Sequence, residues 1–308
     1  MGFSFRKKNR IRSPQPIVIS RLAEVPPGQR SQTRILDVPA GNGVLMIPLA
    51  AAGFDVVGYD LFPEYAHQTL NIFREVGLME GVRRSCKGFL TDKVCHKLFG
   101  GASPSLPSSL NIIPGDMEHQ LPFADSSFDV VTCVEGIEHV DAQYKLIGEL
   151  RRVLKPGGRL FLTTPNMMCV RSRVAHSLTG QRTFGTFIDE FTEIQDKSEN
   201  GKRIYHGHVF LLDYFQLRYY LHNNSFKIER LLPFPASMDS LILSLPFIPC
   251  MALAAPWGPL RALKKLRRLK KKGLVPSSTR APYAEILRHA FSRQALFGSV
   301  IAIEASAQ

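Results

Sequence analysis

The octapeptide LDVPAGNG, residues 36–43, places an aspartate, Asp37, just ahead of two glycines, Gly41 and Gly43, with Asn42 between them. Glycines so spaced let the backbone turn tightly and approach a ligand with no Cβ in the way. A second acid, Asp60, ends the apolar run FDVVGYD. A carboxylate at that place in such a unit accepts hydrogen bonds from ribose hydroxyls, so the ligand reads as a nucleoside. It does not read as a dinucleotide. Met46 stands where the third glycine of G-x-G-x-x-G belongs, and no G-K-[ST] occurs anywhere in the chain. A carboxylate beside the turn would repel pyrophosphate, whereas it suits a cationic ligand.

These residues need a frame. TRILDV reads as a short buried strand, VLMIPLAAAG as a helix closed by Gly53, and FDVVGYD as the next strand. Together they form the opening unit of a doubly wound α/β sheet. Farther on, Leu146, Ile147, Leu150, Val153 and Leu154 share one helical face, with Asp141 as the expected N-cap and KPGG as the terminator. FKIERLL (226–232) and SVIAIEA (299–305) read as two late strands.

The chain has 308 residues, 44% of them hydrophobic, which suits a soluble globular protein with a substantial core. Five scattered cysteines point to a reducing, cytoplasmic compartment, and the N-terminus reads as no secretory signal. Cys86, Cys95 and His96 match no standard zinc spacing. They lie in residues 83–110, which read as an insertion that is flexible toward its C-terminal side. The net charge of +13 is concentrated in RKKNRIR (6–12) and RALKKLRRLKKK (261–272), which hold the whole excess. A nucleic-acid-binding body would spread it more widely, so nucleic acid is a secondary partner class.

Taken in order, four segments resemble the class I S-adenosylmethionine-dependent methyltransferases. DVPAGNG is similar to their D-x-G-x-G-x-G motif, with Pro39 in place of the first glycine. VGYD resembles their ribose-binding strand end. IIPGDMEHQLPFADSSFDVVTCVEGIEHV resembles their adenine-side loop and fourth strand, and ELRRVLKPGGRLFLTTPN their next helix, turn and fifth strand. The resemblance implies a Rossmann-like seven-stranded sheet with an antiparallel last strand, plus insertions. It implies S-adenosylmethionine as cofactor, held by Asp37, Gly41, Asn42, Gly43, Asp60, Asp116 and Met117. The implied organisation is an N-terminal basic segment (1–30), a methyltransferase domain (31–232 and 299–308) and an insertion (233–298).

Methyl transfer to oxygen needs alignment of the acceptor and removal of its proton. EGIEH offers Glu135, Glu138 and His139, and YHGHVF offers His206 and His208. His139 and Glu135 are the catalytic candidates. E-x-x-E-H with a distant histidine resembles the metal site of ubiquinone-pathway O-methyltransferases and of small-RNA 2′-O-methyltransferases. The ligands carried over would be Glu135, Glu138, His139 and His208, for Mg²⁺ or another divalent metal. The alternative is that Glu138 and His139 only cap the following helix and shape the pocket. The longer histidine run of the RNA branch is missing, since Val140 follows His139.

The function implied is O-methylation of a small or lipid-linked acceptor, with an RNA ribose as the alternative. Residues 240–260, SLILSLPFIPCMALAAPWGPL, carry no charge, and their four prolines argue against one straight helix. With the polybasic run behind it, this segment is either a lid over the acceptor or a dock on an anionic membrane surface. GFSFRKK at the N-terminus has similar aromatic and basic character. The implied localisation is cytoplasmic, peripheral on the inner face of the membrane if the segment docks.

Overall fold

The computed structural model describes residues 13–86, 90–101, 104–181, 194–197, 204–254, 257–276, 278–279 and 281–308. The basic residues 6–12 and GFSFRKK lie outside them. In the first half, α1 (Gln15–Leu22) and α2 (Pro27–Arg30) precede β1 (Arg34–Asp37), α3 (Met46–Ala51), β2 (Asp55–Asp60) and α4 (Glu64–Val76). Two helices, α5 (Leu78–Cys86) and α6 (Leu90–Phe99), separate α4 from β3 (Ile112–Pro114) and β4 (Phe128–Val134). Then come α7 (Gln143–Val153), β5 (Leu154–Pro165), α8 (Val170–Thr179), a small antiparallel pair β6 (Ile194–Lys197) and β7 (Ile204–His206), α9 (Tyr214–Asn223) and β8 (Phe226–Leu231). Four helices come next: α10 (Met238–Ala254), α11 (Trp257–Lys271), α12 (Tyr283–Ala290) and α13 (Arg293–Phe297). The last strand is β9 (Val300–Ala307).

Seven strands form one sheet in the order β3-β2-β1-β4-β5-β9-β8. The first five are parallel, and β9 slots antiparallel between β5 and β8. Both faces are covered, so neighbouring residues of a strand enter different cores. Ile35, Val56 and Val130 belong to one, and Leu36, Val57 and Val131 to the other. Between β1 and β4 the strand order reverses, which opens a crevice at the carboxyl ends of these strands.

Some local expectations fail. The helix after EGIEH starts at Gln143 with Ala142 as N-cap, so Asp141 is not the cap and neither are Glu138 and His139. Gln143 instead turns its side-chain amide back to the carbonyls of Ile137 (2.8 Å) and Phe210 (2.5 Å), which fixes the start. Leu154 both caps α7 and opens β5, and KPGG, just beyond the helix end, bulges inside that strand, with Gly157 at φ +75°. The apolar segment continues as helix through Pro246 and Pro249. Those prolines orphan the carbonyls of Ile242 and Leu245, which belong to exposed residues, so the helix tolerates them. Among the described residues no helix is long and apolar enough to cross a membrane.

Glu304 on β9 fastens the sheet to the N-terminal helix. It is buried, and its oxygens meet Arg21 of α1 (3.0 Å), Arg159 of β5 (3.4 Å) and Arg230 of β8 (3.4 Å). Glu304→Ala should lower stability by about 1.5–3 kcal/mol, the scale of hydrogen bonds to a charged group. Urea unfolding measures this, and an unchanged midpoint would deny Glu304 that role.

Candidate active site

The crevice at the strand reversal holds a cavity of about 420 Å³. Asp37, Gly41, Asn42 and Asp60 line it, together with Glu135, His139 and His208. That volume is within the range of small-molecule sites.

Asp37 ends β1 fully buried, and its Oδ1 accepts the Thr132 hydroxyl of β4 at 2.6 Å. Burial pushes its carboxyl up to about 7; the Thr132 bond opposes this and Asp60 adds to it. The carboxylate of Asp60 accepts the backbone N–H groups of Gly41 (2.7 Å) and Phe62 (2.8 Å). Burial raises its pKa, and those two bonds work the other way. Gly41 sits at φ +52°, which glycine adopts without strain. Gly43 does not line the cavity. A Cβ there would lie 3.0 Å from the Cβ of Ala66, so this glycine lets α4 close on the loop.

Pro39 explains a second glycine. A Cβ on Gly136 would fall 2.1 Å from the Pro39 ring, so the glycine of EGIEH makes room for the proline that replaces the first motif glycine. Beside it, Glu135 holds φ +50°, a left-handed conformation uncommon for a residue with a side chain. Its N–H donates to the Thr163 carbonyl at 3.1 Å, and burial raises its carboxyl.

Glu138, His139 and His208 bring ligand atoms within 4.8 Å of one another. Glu138 is wholly buried. Its Oε2 accepts from Thr164 at 3.0 Å, and its Oε1 has no hydrogen-bond partner among the described residues. Burial, with Glu135 nearby, pushes this carboxyl up to about 8. His139 Nδ1 lies 3.0 Å from the Gly207 carbonyl, which can only accept. Nδ1 therefore carries the proton and Nε2 the lone pair, the arrangement that orients an imidazole ligand or base. A buried carboxylate oxygen without a partner, beside two imidazoles, is a donor set that fits a divalent cation. Glu135 lines the cavity but lies outside this group of three.

Asp116 and Met117 are not in the cavity wall. Asp116 Oδ1 accepts the Glu118 N–H at 2.9 Å, and Met117 packs on the core beneath. The side chain of His206 lies outside the described residues. Sequence reading missed Gln15, Phe62 and Tyr65, which also line the cavity. Phe62 and Tyr65 follow Asp60 closely enough for their place after the strand end to signal them. Gln15 had no local signal, because α1 reaches the site only through the tertiary fold.

Asp37 generates a pH prediction. Its folded pKa is about 7 against an ordinary 3.8, so between these values the folded ligand-free chain binds the proton that the unfolded chain has released. This contribution is present in full below pH 3.8 and is lost as pH rises through 7. Asp37→Asn should flatten that decline, leaving the ligand-free variant more stable than wild type at pH 8. Urea titrations at pH 5 and 8 test it, and parallel declines in the two proteins would contradict it.

A family model described as a methyltransferase domain matches residues 8–231. A demethylmenaquinone methyltransferase of Renibacterium salmoninarum is 32% identical over 178 residues, covering 58% of this chain and 52% of that protein. A ubiquinone biosynthesis O-methyltransferase of Bordetella avium is 29% identical over 139 residues, covering 45% of each. The chain thus spans about half the length of these curated relatives. Among solved structures, an S-adenosylmethionine-dependent methyltransferase from Archaeoglobus fulgidus aligns over 96% of both chains at 15% identity, with a TM-score of 0.44. The family model spans most of the sheet and the three acids lining the cavity, Asp37, Asp60 and Glu135, and by that match the chain belongs to the methyltransferase-domain family of class I S-adenosylmethionine-dependent enzymes.

Proposed function

We propose that the chain transfers a methyl group from S-adenosylmethionine to an oxygen of a small lipophilic acceptor of the quinone type. The observation that carries this reading is the grouping of Glu138 with His139 and His208, the two histidines lining the same cavity as Asp37 and Asp60. The names of the two relatives support a quinone-type acceptor. The localisation proposed with it is cytoplasmic, peripheral on the inner face of a membrane, from which a lipophilic acceptor would be delivered. An RNA ribose is the second reading, with which the polybasic α11 is compatible.

In this reading Asp60 holds the ribose and Asp37 faces the positive end of the cofactor, where a nearby cation would favour its ionised form. Gly41, Asn42 and Gly43 give the backbone its close approach. Asp116 and Met117, outside the cavity wall, would border the adenine only where it extends past Asp60 toward the turn after β3, which is tied to β2 by the Gly115 N–H on the Asp60 carbonyl (2.8 Å). The cofactor supplies the electrophilic methyl. Glu138, His139 and His208 would hold a divalent metal, with Glu135 at its border, and such a metal would stabilise negative charge on the acceptor oxygen. With that lone pair on Nε2, His139 would hold the metal where one is bound, and where none is it accepts the acceptor proton instead. The hydrogen bond from its Nδ1 to the Gly207 carbonyl keeps the ring turned for that task.

Calorimetry should show S-adenosylmethionine binding that Asp60→Ala weakens by about 1–3 kcal/mol, the cost of unpaired hydrogen-bonding groups. Tight NAD⁺ binding with no response to S-adenosylmethionine would refute the cofactor assignment.

His139→Ala should cut kcat by roughly 10²-fold or more with cofactor affinity retained. S-adenosylhomocysteine release would be followed with quinol, lipid-linked sugar and RNA substrates, before and after chelation. Activity that survives both the substitution and chelation would remove His139 and the metal from the reaction. Turnover on RNA alone would replace the quinone-type reading.

A further inference from the structure

The first turns of helix α10 direct two serines toward the core and leucines away from it. Its inward face carries Ser240, Leu243 and Ser244, of which the two serines are buried and Leu243 packs on Val170, Val174 and Leu296. The Ser240 hydroxyl has no hydrogen-bond partner among the described residues. The opposite arc, at helical spacing, is Leu241, Ile242, Leu245, Pro249 and Leu253, all exposed. Leu245 is 81% exposed and Leu253 77%. A helix resting on a core in water turns its leucines inward and its serines outward. Here an apolar ridge of neighbouring exposed side chains stands outside, a surface that suits contact with another apolar phase.

The next helix identifies that phase. Just beyond α10, α11 begins with Trp257, and both Trp257 and Leu260 are exposed, while no residue of this helix is buried. Its other exposed side chains belong to Arg261, Lys264, Lys265, Arg267, Arg268 and Lys271. Residues 261–272 hold eight basic side chains and no acidic one. An apolar ridge, a tryptophan at its end and a dense positive flank complement the layers of an anionic bilayer surface: acyl boundary, headgroup level and surface charge. A protein partner would be expected to offset some of these charges one by one, whereas a lipid surface attracts them collectively.

We infer that α10 and α11 form a docking surface for an anionic lipid bilayer. The leucine ridge enters the headgroup boundary and the basic helix lies along the phosphates. The chain binds the surface without spanning it. The ridge faces away from α8, which leaves the carboxyl edge of the sheet just after β5, the same edge that carries the cavity. Docking therefore holds this edge of the molecule close to the bilayer. The inference does not depend on which acceptor is methylated.

The test is co-sedimentation of the full chain with vesicles of phosphatidylglycerol and phosphatidylcholine, or of phosphatidylcholine alone, at low and high salt. Wild type should pellet with the anionic vesicles at low salt and be released as salt rises. Lys264→Glu with Arg267→Glu and Lys271→Glu should reduce partitioning by roughly tenfold or more, since each basic residue near such a surface contributes about fivefold. Leu241→Gln with Leu245→Gln and Leu253→Gln, all at exposed positions, should also release the chain while far-ultraviolet circular dichroism stays unchanged. Wild type remaining in the supernatant overturns the proposal. So does wild-type binding by the leucine variant, which would reduce the contact to charge alone. Concentration-dependent dimers that the leucine substitutions dissociate, with no vesicle binding, would assign the ridge to a second copy of the chain instead.

Discussion

The carboxylate of Asp37 sits at the end of a strand that is paired on both edges and covered on both faces. One hydroxyl, from Thr132, reaches it at 2.6 Å. The group is buried, and this is why its proton is held up to about 7. Nothing within the sheet can satisfy an ionised Asp37 fully, so compensation must come from the cavity side. A cation lodged there would both hold the carboxylate ionised and be held by it. The same constraint shapes the neighbourhood. The loop that leaves Asp37 bends over it through Pro39 and Gly41, Asp60 fixes that loop through the Gly41 N–H, and Gly136 stays small so that Pro39 fits.

A parallel logic governs the other side of the cavity. Glu138 has one oxygen occupied by Thr164 and one without a partner among the described residues, and burial favours its protonated form. His139 has one nitrogen committed to the Gly207 carbonyl. Each group has one atom fixed by the scaffold and presents its chemistry through the other, so the residues behind the site decide what it can do. Such an arrangement costs stability, because an unpartnered buried oxygen is a penalty the folded chain carries. Glu135, held at φ +50°, adds backbone strain at the same place. Penalties concentrated in one cavity are the pattern expected where function, rather than stability, sets the geometry.

The sequence made some of this legible because the relevant signals are local. A strand, a turn with two glycines and a second strand ending in an acid lie within 27 residues, 34–60, and fix Asp37, Gly41 and Asp60 relative to one another. EGIEH lies directly after β4, so its arrival at the crevice follows from the strand order. The sites that could not be read are those set by long-range packing. Gln15 reaches the cavity on a helix anchored by Glu304, almost 300 residues away in sequence. The orienting partner of His139 is a backbone carbonyl, Gly207, which leaves no trace in residue type. Asp141 carries the right chemistry for an N-cap, yet Gln143 outcompetes it by bonding two carbonyls at once. Local propensity lost there to a tertiary contact.

The four helices between β8 and β9 show how the fold can hold an apolar ridge outward. They are anchored on both sides of the exposed stretch. At one end α10 packs on α8 and α13, with Arg171 meeting Asp239 at 3.6 Å. At the other, α12 is fastened to α9 by the Tyr214–His289 bond of 2.7 Å and the Arg218–Glu285 pair of 3.2 Å. Burial raises the Tyr214 hydroxyl and lowers the His289 imidazole, so both stay neutral and their bond carries no buried charge. Among the described residues of α10, Leu243 packs on the cluster of Val170, Val174 and Leu296, beside Phe297 of α13. The last strand then returns to the sheet between β5 and β8. These helices are thereby tied at both ends to the sheet on which the cavity depends.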